Sequence, residues 1–183
     1  MKDTKYAQNS PQDSPWSLSH RIKMLCWEYV WLCFCYLTPK PANPWRLFLL
    51  RLFGAKLHGR PFVHQRARIQ IPWNLEMYDK SCIGDRANIY SLGKVVIGQS
   101  AVVAQEAYIC TGTHAFDSPA MNLITKPIYI GEHVFIGARA FVMPGVRLES
   151  HCIVASMAVV TKDVRSNDIV AGNPAKFIKK RYH

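Results

Sequence analysis

The chain has 183 residues, of which 49% are hydrophobic, and its formal net charge is +11. This length and apolar content predict one folded domain with an appendage and exclude wholesale disorder. No apolar run reaches the roughly 18 residues that a membrane-spanning helix needs. Residues 1–17 are polar and lack the apolar centre of a signal peptide, so we expect a flexible N-terminus and a cytoplasmic protein.

The positive charge is concentrated at the two ends of the chain. Residues 1–60 carry nine Lys or Arg against three Asp or Glu, residues 61–164 nine against eight, and residues 165–183 five against one. Basic ends can meet anionic lipid headgroups or the phosphates of a cofactor. A nucleic-acid-binding protein usually carries its charge on the folded domain and shows a known motif. Neither applies here, and we expect no nucleic-acid partner.

Residues 18–60 predict an N-terminal helical segment rich in aromatic and basic residues. Ser17 or Ser19 can cap the first helix, and Pro39 ends it. Two placements of this segment remain open. The helices over residues 18–57 pack either on the rest of the chain or a neighbouring subunit, or they make a peripheral contact with the inner membrane surface.

An internal repeat organises residues 61–165. Aliphatic residues recur there at steps of six, with two steps of eight and one much longer interruption. A period of six fits neither a helix nor a two-sided strand, but it fits an all-β chain wound as a three-sided coil. The repeated positions are Val63, Ile69, Leu75, Ile83, Ile89, Ile97, Val103, Ile109, Ile130, Ile136, Val142, Leu148, Val154 and Val160.

This repeat resembles that of the hexapeptide-repeat acyltransferases. The stretches AQEAYICTGTHAFDSP, ITKPIYIGEHVFIGARAFVMPGV and VAGNPAKFIKKR further resemble the branch of colanic-acid and exopolysaccharide O-acetyltransferases, which is related to maltose, galactoside and nodulation-factor acetyltransferases. The resemblance covers nearly the whole chain from about Trp16 onward. It implies a left-handed parallel β-helix, a homotrimer, acetyl-CoA as cosubstrate, and a short C-terminal helix within the tail at residues 166–183, starting at Asn173-Pro174.

The long interruption of the repeat predicts a functional loop at residues 111–127. Acetyl transfer to a hydroxyl needs a base with a pKa near neutrality, which suits imidazole. The resemblance places the catalytic histidine of the family at His114. Its second ring nitrogen needs an acceptor, and the candidates are a backbone carbonyl, Asp117 and Glu106. Many relatives have an acidic residue where this chain has Ala115, so any role of that residue is either absent here or moved to Asp117, which we name as the candidate.

The resemblance also implies that coenzyme A lies in the groove between two β-helices of the trimer. Small corner residues would let the pantetheine arm approach the backbone, although the corners of such a coil need small residues in any case. Basic residues near the C-terminus would meet the nucleotide end. The cofactor contacts that this predicts are Ala138, Ser156, Ala158, Thr161, Lys162, Pro174 and Lys179.

The acceptor is predicted to be a sugar or a lipid-linked saccharide. Asn88, Tyr90 and Asp85 lie on coils below His114 and could hydrogen-bond sugar hydroxyls. We therefore expect an O-acetyltransferase of exopolysaccharide biosynthesis that transfers the acetyl group directly, with His114 as the general base.

Three other functions stay open at this stage. The chain could acetylate the amine of an amino sugar, or it could be a non-catalytic β-helix scaffold. A zinc enzyme similar to the γ-class carbonic anhydrases would need converging ligands. The histidines of the repeat region fall on separate coils instead, so we expect no metal: His58, His64, His114, His133 and His151.

Overall fold

A computed structural model describes residues 3–8, 10, 13–117 and 119–182. The other positions of the predicted N-terminal, loop and tail segments (1, 2, 9, 11, 12, 118 and 183) lie outside the described residues. Helix α1 spans Leu18–Phe34 and helix α2 spans Asn43–Leu52, with a short 3-10 helix at Lys40–Ala42 between them. Ser17 caps α1, because its hydroxyl accepts the backbone N–H of His20 at 3.3 Å.

Short strands make up most of the remaining chain, with a second 3-10 helix at Pro72–Asn74. The strands are β1 (Thr4–Tyr6), β2 (Lys56–Leu57), β3 (Phe62–Val63), β4 (Arg68–Ile69), β5 (Leu75–Met77), β6 (Cys82–Ile83), β7 (Asn88–Tyr90), β8 (Val95–Ile97), β9 (Val102–Val103), β10 (Tyr108–Cys110), β11 (Gly112–His114), β12 (Leu123–Thr125), β13 (Ile128–Ile130), β14 (Phe135–Ile136), β15 (Phe141–Val142), β16 (Arg147–Leu148), β17 (Ile153–Val154), β18 (Val159–Val160), β19 (Asp168–Ala171) and β20 (Lys176–Lys180).

The strands form the three flat faces of a left-handed parallel β-helix, which confirms the predicted fold. The first face has the order β16-β13-β8-β5-β2, the second β20-β19-β17-β14-β9-β6-β3, and the third β18-β15-β10-β7-β4. The chain visits the three faces in turn, and each strand except β20 pairs in parallel with its counterpart one coil away. On the third face, Ile69, Ile89, Ile109, Val142 and Val160 stack in register.

The interior of the coil is filled by the predicted aliphatic residues. All fourteen are buried, with at most 4% of their surface exposed. Two of the spacings between repeated aliphatic residues are eight residues instead of six, and both involve the first face. The strands there are three residues long and bury two side chains each, such as Leu75 with Met77 and Val95 with Ile97. Stacking of the coils therefore makes one continuous core from repeats that bury little alone.

The corners of the coil use left-handed backbone conformations. Nine described residues other than glycine have φ between 54° and 64°, and each lies three residues before an inward-facing aliphatic residue. Each such conformation costs about 1 kcal/mol for an L-residue, so the stacked core must offset that cost. These nine residues are Lys80, Arg86, Ser100, Glu106, His133, Arg139, His151, Met157 and Asn167.

Three segments have a secondary structure different from the one predicted. The first strand of the coil is Lys56–Leu57, inside the range assigned to helices. Within the segment expected to be flexible, Thr4–Tyr6 is a strand paired with Leu123–Thr125. The predicted C-terminal helix is wrong: Asp168–Ala171 and Lys176–Lys180 form an antiparallel hairpin on the second face. The β-branched and aromatic residues Ile169, Val170, Phe177 and Ile178 favour strands, and Ile169 and Val170 pair with β17.

The two helices pack on the first coils of the β-helix through one side only. The indole N–H groups of Trp27 and Trp31 donate to the carbonyl oxygens of Ile69 and Ala67 at 2.7 and 2.9 Å. Arg46 of α2 is fully buried, and its Nε donates to the carbonyl of Val63 at 2.9 Å. In the part of the chain that the structure describes, no helix is both long and apolar enough to cross a bilayer.

Candidate active site

The predicted loop at residues 111–127 is an antiparallel hairpin that projects from the end of β10. Gly112–His114 pairs with Leu123–Thr125, and His114 lies opposite Leu123. Strand β1 adds a third strand on the far side of β12, with Tyr6 opposite Leu123. His114 is therefore carried by a small sheet rather than by an irregular loop, which limits the movement of its backbone.

The N-terminal segment also binds this hairpin through side chains. The backbone N–H of Gln8 donates to Oδ1 of Asn122, and the side-chain oxygen of Gln8 accepts the N–H of Leu123, both at 2.8 Å. Lys126 pairs with Asp3 at 3.2 Å. The sequence did not predict these contacts, because they join segments more than 110 residues apart and no local pattern indicates them.

The imidazole of His114 has a defined hydrogen-bond partner. Its Nδ1 lies 2.6 Å from the carbonyl oxygen of Met121, at the tip of the same hairpin. A carbonyl oxygen can only accept, so Nδ1 carries the proton and Nε2 keeps a free lone pair. The ring is thus held in the tautomer that can take a proton from a substrate through Nε2.

The orienting group is therefore a backbone carbonyl, and the assignment of Asp117 to that role is wrong. The side chain of Asp117 is exposed, in the turn between the two strands of the hairpin. Glu106, the third candidate, is bound by Nε of Arg139 at 2.5 Å. The short hairpin brings the Met121 carbonyl to His114 directly, which removes the need for a carboxylate there.

Two of the predicted acceptor residues, Asn88 and Tyr90, lie on β7, the third-face neighbour of β10. Asn88 is in register with Arg68 and Tyr108 on the outer side of the third face. Tyr90 approaches the hairpin, since a methyl group at Gly112 would lie 3.2 Å from its Cε1. Burial raises the pKa of Tyr90. Its hydroxyl therefore stays protonated and can donate as well as accept.

Asn88 carries a polar atom whose partner is missing. Its side-chain oxygen is buried, and within the described residues it has no hydrogen-bond partner. Buried polar atoms are rarely left unpaired, and a water, a neighbouring chain or a ligand can supply the donor that this oxygen needs. A donor from a sugar hydroxyl would satisfy this oxygen.

The third predicted acceptor residue, Asp85, lies at the opposite end of the third face. Nη2 of Arg66 contacts its Oδ2 at 2.5 Å. Nδ1 of His64 is 3.2 Å from its Oδ1, but that nitrogen accepts the N–H of Arg66 and cannot donate. The structure does not bring Asp85 to His114, because the ion pair holds it at the corner between the second and third faces.

The same corner, farther along the coil, contains two predicted cofactor residues. Ala138 and Ser156 line one shallow cleft together with Gln105, Glu106, Arg139 and Met157. Ala158, in contrast, is fully buried. Its N–H donates to Ala155 and its carbonyl accepts the N–H of Phe141. A cofactor contact through Ala158 is therefore wrong, because the coil already uses its polar atoms.

The remaining predicted cofactor residues lie at the C-terminal end of the coil. Lys162 lines a cleft with Phe177 and Lys180, whereas Lys179 is not part of that lining. Lys180 also pairs with Asp168 at 2.5 Å. Thr161, Pro174 and Lys179 are exposed. The sequence predicted contacts at Lys162 and Lys179, whereas the structure places Lys180 beside Lys162 in this cleft.

His114 and the corner that contains Ala138 and Ser156, called the small-residue corner below, are far apart within one chain. The hairpin of His114 leaves the downstream end of the third-face strands, whereas Ala138 and Ser156 precede the upstream end. Gln105, which lines the corner cleft, lies in the turn before Tyr108–Cys110, and Thr111 follows that strand, so a full strand of the third face separates the two groups. A single subunit therefore does not assemble these groups at one point.

Other histidines of the coil contact aromatic rings or acidic side chains. His133 and His151 stack with their ring centroids 5.0 Å apart, and His58 contacts Glu76 at 3.3 Å. Across residues 3–8, 10, 13–117 and 119–182, no group of three or more His, Cys, Asp or Glu side chains could hold a metal ion.

Comparison with known proteins agrees with this architecture. The bacterial transferase hexapeptide family (six repeats) matches residues 127–162. The protein named "Putative colanic acid biosynthesis acetyltransferase WcaF" of Escherichia coli (strain K12) is 36% identical over 160 residues, which cover 87% of this chain and 88% of that protein.

Two solved structures share the fold. One is a maltose O-acetyltransferase from Clostridium difficile 630, with a TM-score of 0.80, 22% identity, and coverage of 91% of this chain and 90% of that one. The other is the hexapeptide-repeat acetyltransferase VCA0836 from Vibrio cholerae in complex with acetyl coenzyme A, with a TM-score of 0.83, 20% identity and 93% coverage of both chains. The repeat, the fold and the extended sequence identity together show that the chain belongs to the hexapeptide-repeat acyltransferase family.

Proposed function

We propose that this protein transfers the acetyl group of acetyl-CoA to a hydroxyl of a sugar in exopolysaccharide biosynthesis. The observation that carries the proposal is the imidazole of His114, whose Nδ1–H is bound by the Met121 carbonyl and whose Nε2 is left as a base. Membership of the acyltransferase family and the full-length similarity to a colanic acid acetyltransferase support the substrate class.

In the proposed mechanism, Nε2 of His114 takes the hydroxyl proton while the acceptor oxygen attacks the acetyl carbonyl. The imidazolium that forms is stabilised by its hydrogen bond to the Met121 carbonyl, and it returns the proton to the departing thiolate. Cys110 plays no part as a nucleophile. Burial raises the pKa of its thiol, and its Sγ donates to the carbonyl of Gly112. The transfer is therefore direct, without an acetyl-enzyme.

The small-residue corner fits the narrow pantetheine arm, and the Lys162–Lys180 cleft fits anionic phosphates. Because His114 and this corner are far apart in one chain, we assign them to two subunits of a homotrimer, with each site completed between neighbours. A monomer that keeps full activity would contradict this assignment.

The proposed function is tested by measuring thiol release from acetyl-CoA with a panel of sugars, lipid-linked saccharides and matched amino sugars. We expect turnover with a hydroxyl acceptor, and an acetyl ester that mild alkali removes. An alkali-stable amide formed only with amino sugars would show N-acetylation instead. Binding of coenzyme A without turnover on any acceptor would contradict the proposed acceptor class, and absence of both would indicate a scaffold.

The contacts of Gln8 predict a loss of activity without a loss of cofactor affinity. Gln8→Ala removes the side-chain oxygen that accepts the Leu123 N–H, so the hairpin that holds His114 becomes less well positioned. We expect kcat to fall about tenfold, because small errors in positioning a base are costly. KM for acetyl-CoA should stay unchanged. Lys5→Ala is the matched control, since Lys5 joins the same sheet through register with Ile124. Equal effects of the two substitutions would contradict a positioning role for Gln8.

A further inference from the structure

Helix α1 is apolar on two opposite sides. Trp27 and Trp31 face the coil and are buried. The opposite side carries an unbroken stripe at helical spacing, and every member of it is more than half exposed. This stripe, called the α1 stripe below, consists of Leu18, Ile22, Leu25, Tyr29 and Leu32. A helix that is apolar on both sides is normally covered on both sides.

Helix α2 extends this exposed apolar surface. Its exposed residues Trp45, Phe48 and Leu52 also follow helical spacing, and the rings of Trp45 and Phe48 stack 5.7 Å apart. The indole N–H of Trp45 donates to the carbonyl of Phe34 at 2.9 Å, which ties this surface to the end of α1. Soluble monomers rarely expose apolar patches of this extent unless the patch binds a partner.

The charge around these helices indicates which kind of partner they bind. Residues 18–60 contain seven Lys or Arg and a single acidic residue, Glu28. One of the seven, Arg46, is buried, so six basic residues remain to balance one carboxylate on the surface. Residues 61–164 carry a net charge of only +1, from nine basic and eight acidic residues. Neither a second copy of the helices nor the coil therefore offers the negative charge that would match them.

We propose that the α1 stripe and the exposed side of α2 dock this protein onto a bilayer that contains anionic phospholipids. In this arrangement α1 lies in the plane of the interface, with its aliphatic residues at the acyl boundary. Tyr29 and Trp45 sit at headgroup level, where amphipathic aromatic rings are favoured. Exposed basic residues such as Arg21 and Lys40 meet the phosphates. Docking of this kind goes beyond the proposed acetyl transfer and does not depend on it.

The test is co-sedimentation of the full chain with vesicles of phosphatidylcholine alone and of phosphatidylcholine mixed with phosphatidylglycerol. We expect binding to the mixed vesicles, at least tenfold weaker binding to the neutral ones, and release as salt is raised. Ile22→Gln/Leu25→Gln/Leu32→Gln should weaken binding at least tenfold, because it removes three aliphatic residues from the stripe. Ile178→Gln is the control, since Ile178 is also an aliphatic residue more than half exposed but lies in β20, outside the stripe. That control should bind as the unmodified chain does.

Each contrary outcome would overturn the proposal. Failure of the unmodified chain to bind either vesicle would do so, as would equal binding to both. If the triple substitution changes the size of the assembly in sedimentation velocity and leaves vesicle binding intact, the stripe contacts a second copy instead. Because acetyl transfer to a soluble sugar is measured separately, failure of docking and failure of the proposed activity remain distinguishable.

Discussion

His114→Ala is expected to lower kcat for acetyl transfer by about 10²- to 10⁴-fold, the range usual for removal of a general base. The substitution removes the only atom assigned to proton transfer, Nε2, while the hairpin keeps its main-chain pairing. Affinity for coenzyme A should be unchanged, because the proposed cofactor contacts are the small-residue corner and the Lys162–Lys180 cleft, neither of which includes His114. Initial rates of thiol release and calorimetric titration with coenzyme A measure the two quantities.

Asp117→Asn provides the matched control for this substitution. The Nδ1 partner of His114 is the Met121 carbonyl, so neutralising the exposed Asp117 should change kcat by less than about threefold. A loss as large as that of His114→Ala would show that the carboxylate reaches the imidazole during catalysis. Unchanged turnover in His114→Ala would place the base elsewhere.

Gly137→Ala is expected to destabilise the coil by about 3 kcal/mol or more. A methyl group at this position would lie 2.4 Å from the backbone N of Ser156 and 2.8 Å from the carbonyl carbon of Ala155. These atoms are main chain of the next coil, which is held on either side by hydrogen bonds from the N–H groups of Ala155 and Met157, so they cannot move aside as a flexible side chain would. Thermal unfolding should show the midpoint lowered by about 6 to 12 °C for a chain of this size.

Gly93→Ala is the comparison for this effect. Its new methyl group would meet the side chain of Thr125 at 3.3 Å, and the neighbouring backbone lies no closer than 3.5 Å. We expect a cost below about 1 kcal/mol, since a small shift of Thr125 relieves the contact. If both substitutions lower the midpoint equally, close approach of neighbouring coils is not what requires glycine at position 137.

The core was predictable because its signal is repeated along the chain. Ile109 occupies the same position of its coil as Ile89 and Val142 do of theirs, so every coil gives a separate indication of the same sequence period. The C-terminal tail has no such repetition. Whether Lys176–Lys180 forms a helix or a strand depends on the free edge offered by β19, which is a tertiary property.

The site was predictable only in part, for the same physical reason. His114 stands in a motif, so the resemblance could nominate it as the base. The group that orients it is a main-chain carbonyl at Met121, and any residue type there would present the same oxygen. The contacts of Gln8 depend on two segments meeting in three dimensions, which spacing along the chain does not encode.

The pairing of β1 with β12 also has a consequence for the order of folding. Coils of a repeat protein can form one after another, because each contacts only its neighbours. Thr4–Tyr6, in contrast, must wait for Leu123–Thr125, which is made after more than 110 further residues. At roughly 5 to 20 residues per second of synthesis, that delay is on the order of ten seconds. The first coils can therefore be complete in the nascent chain while the sheet that supports His114 still lacks its edge strand.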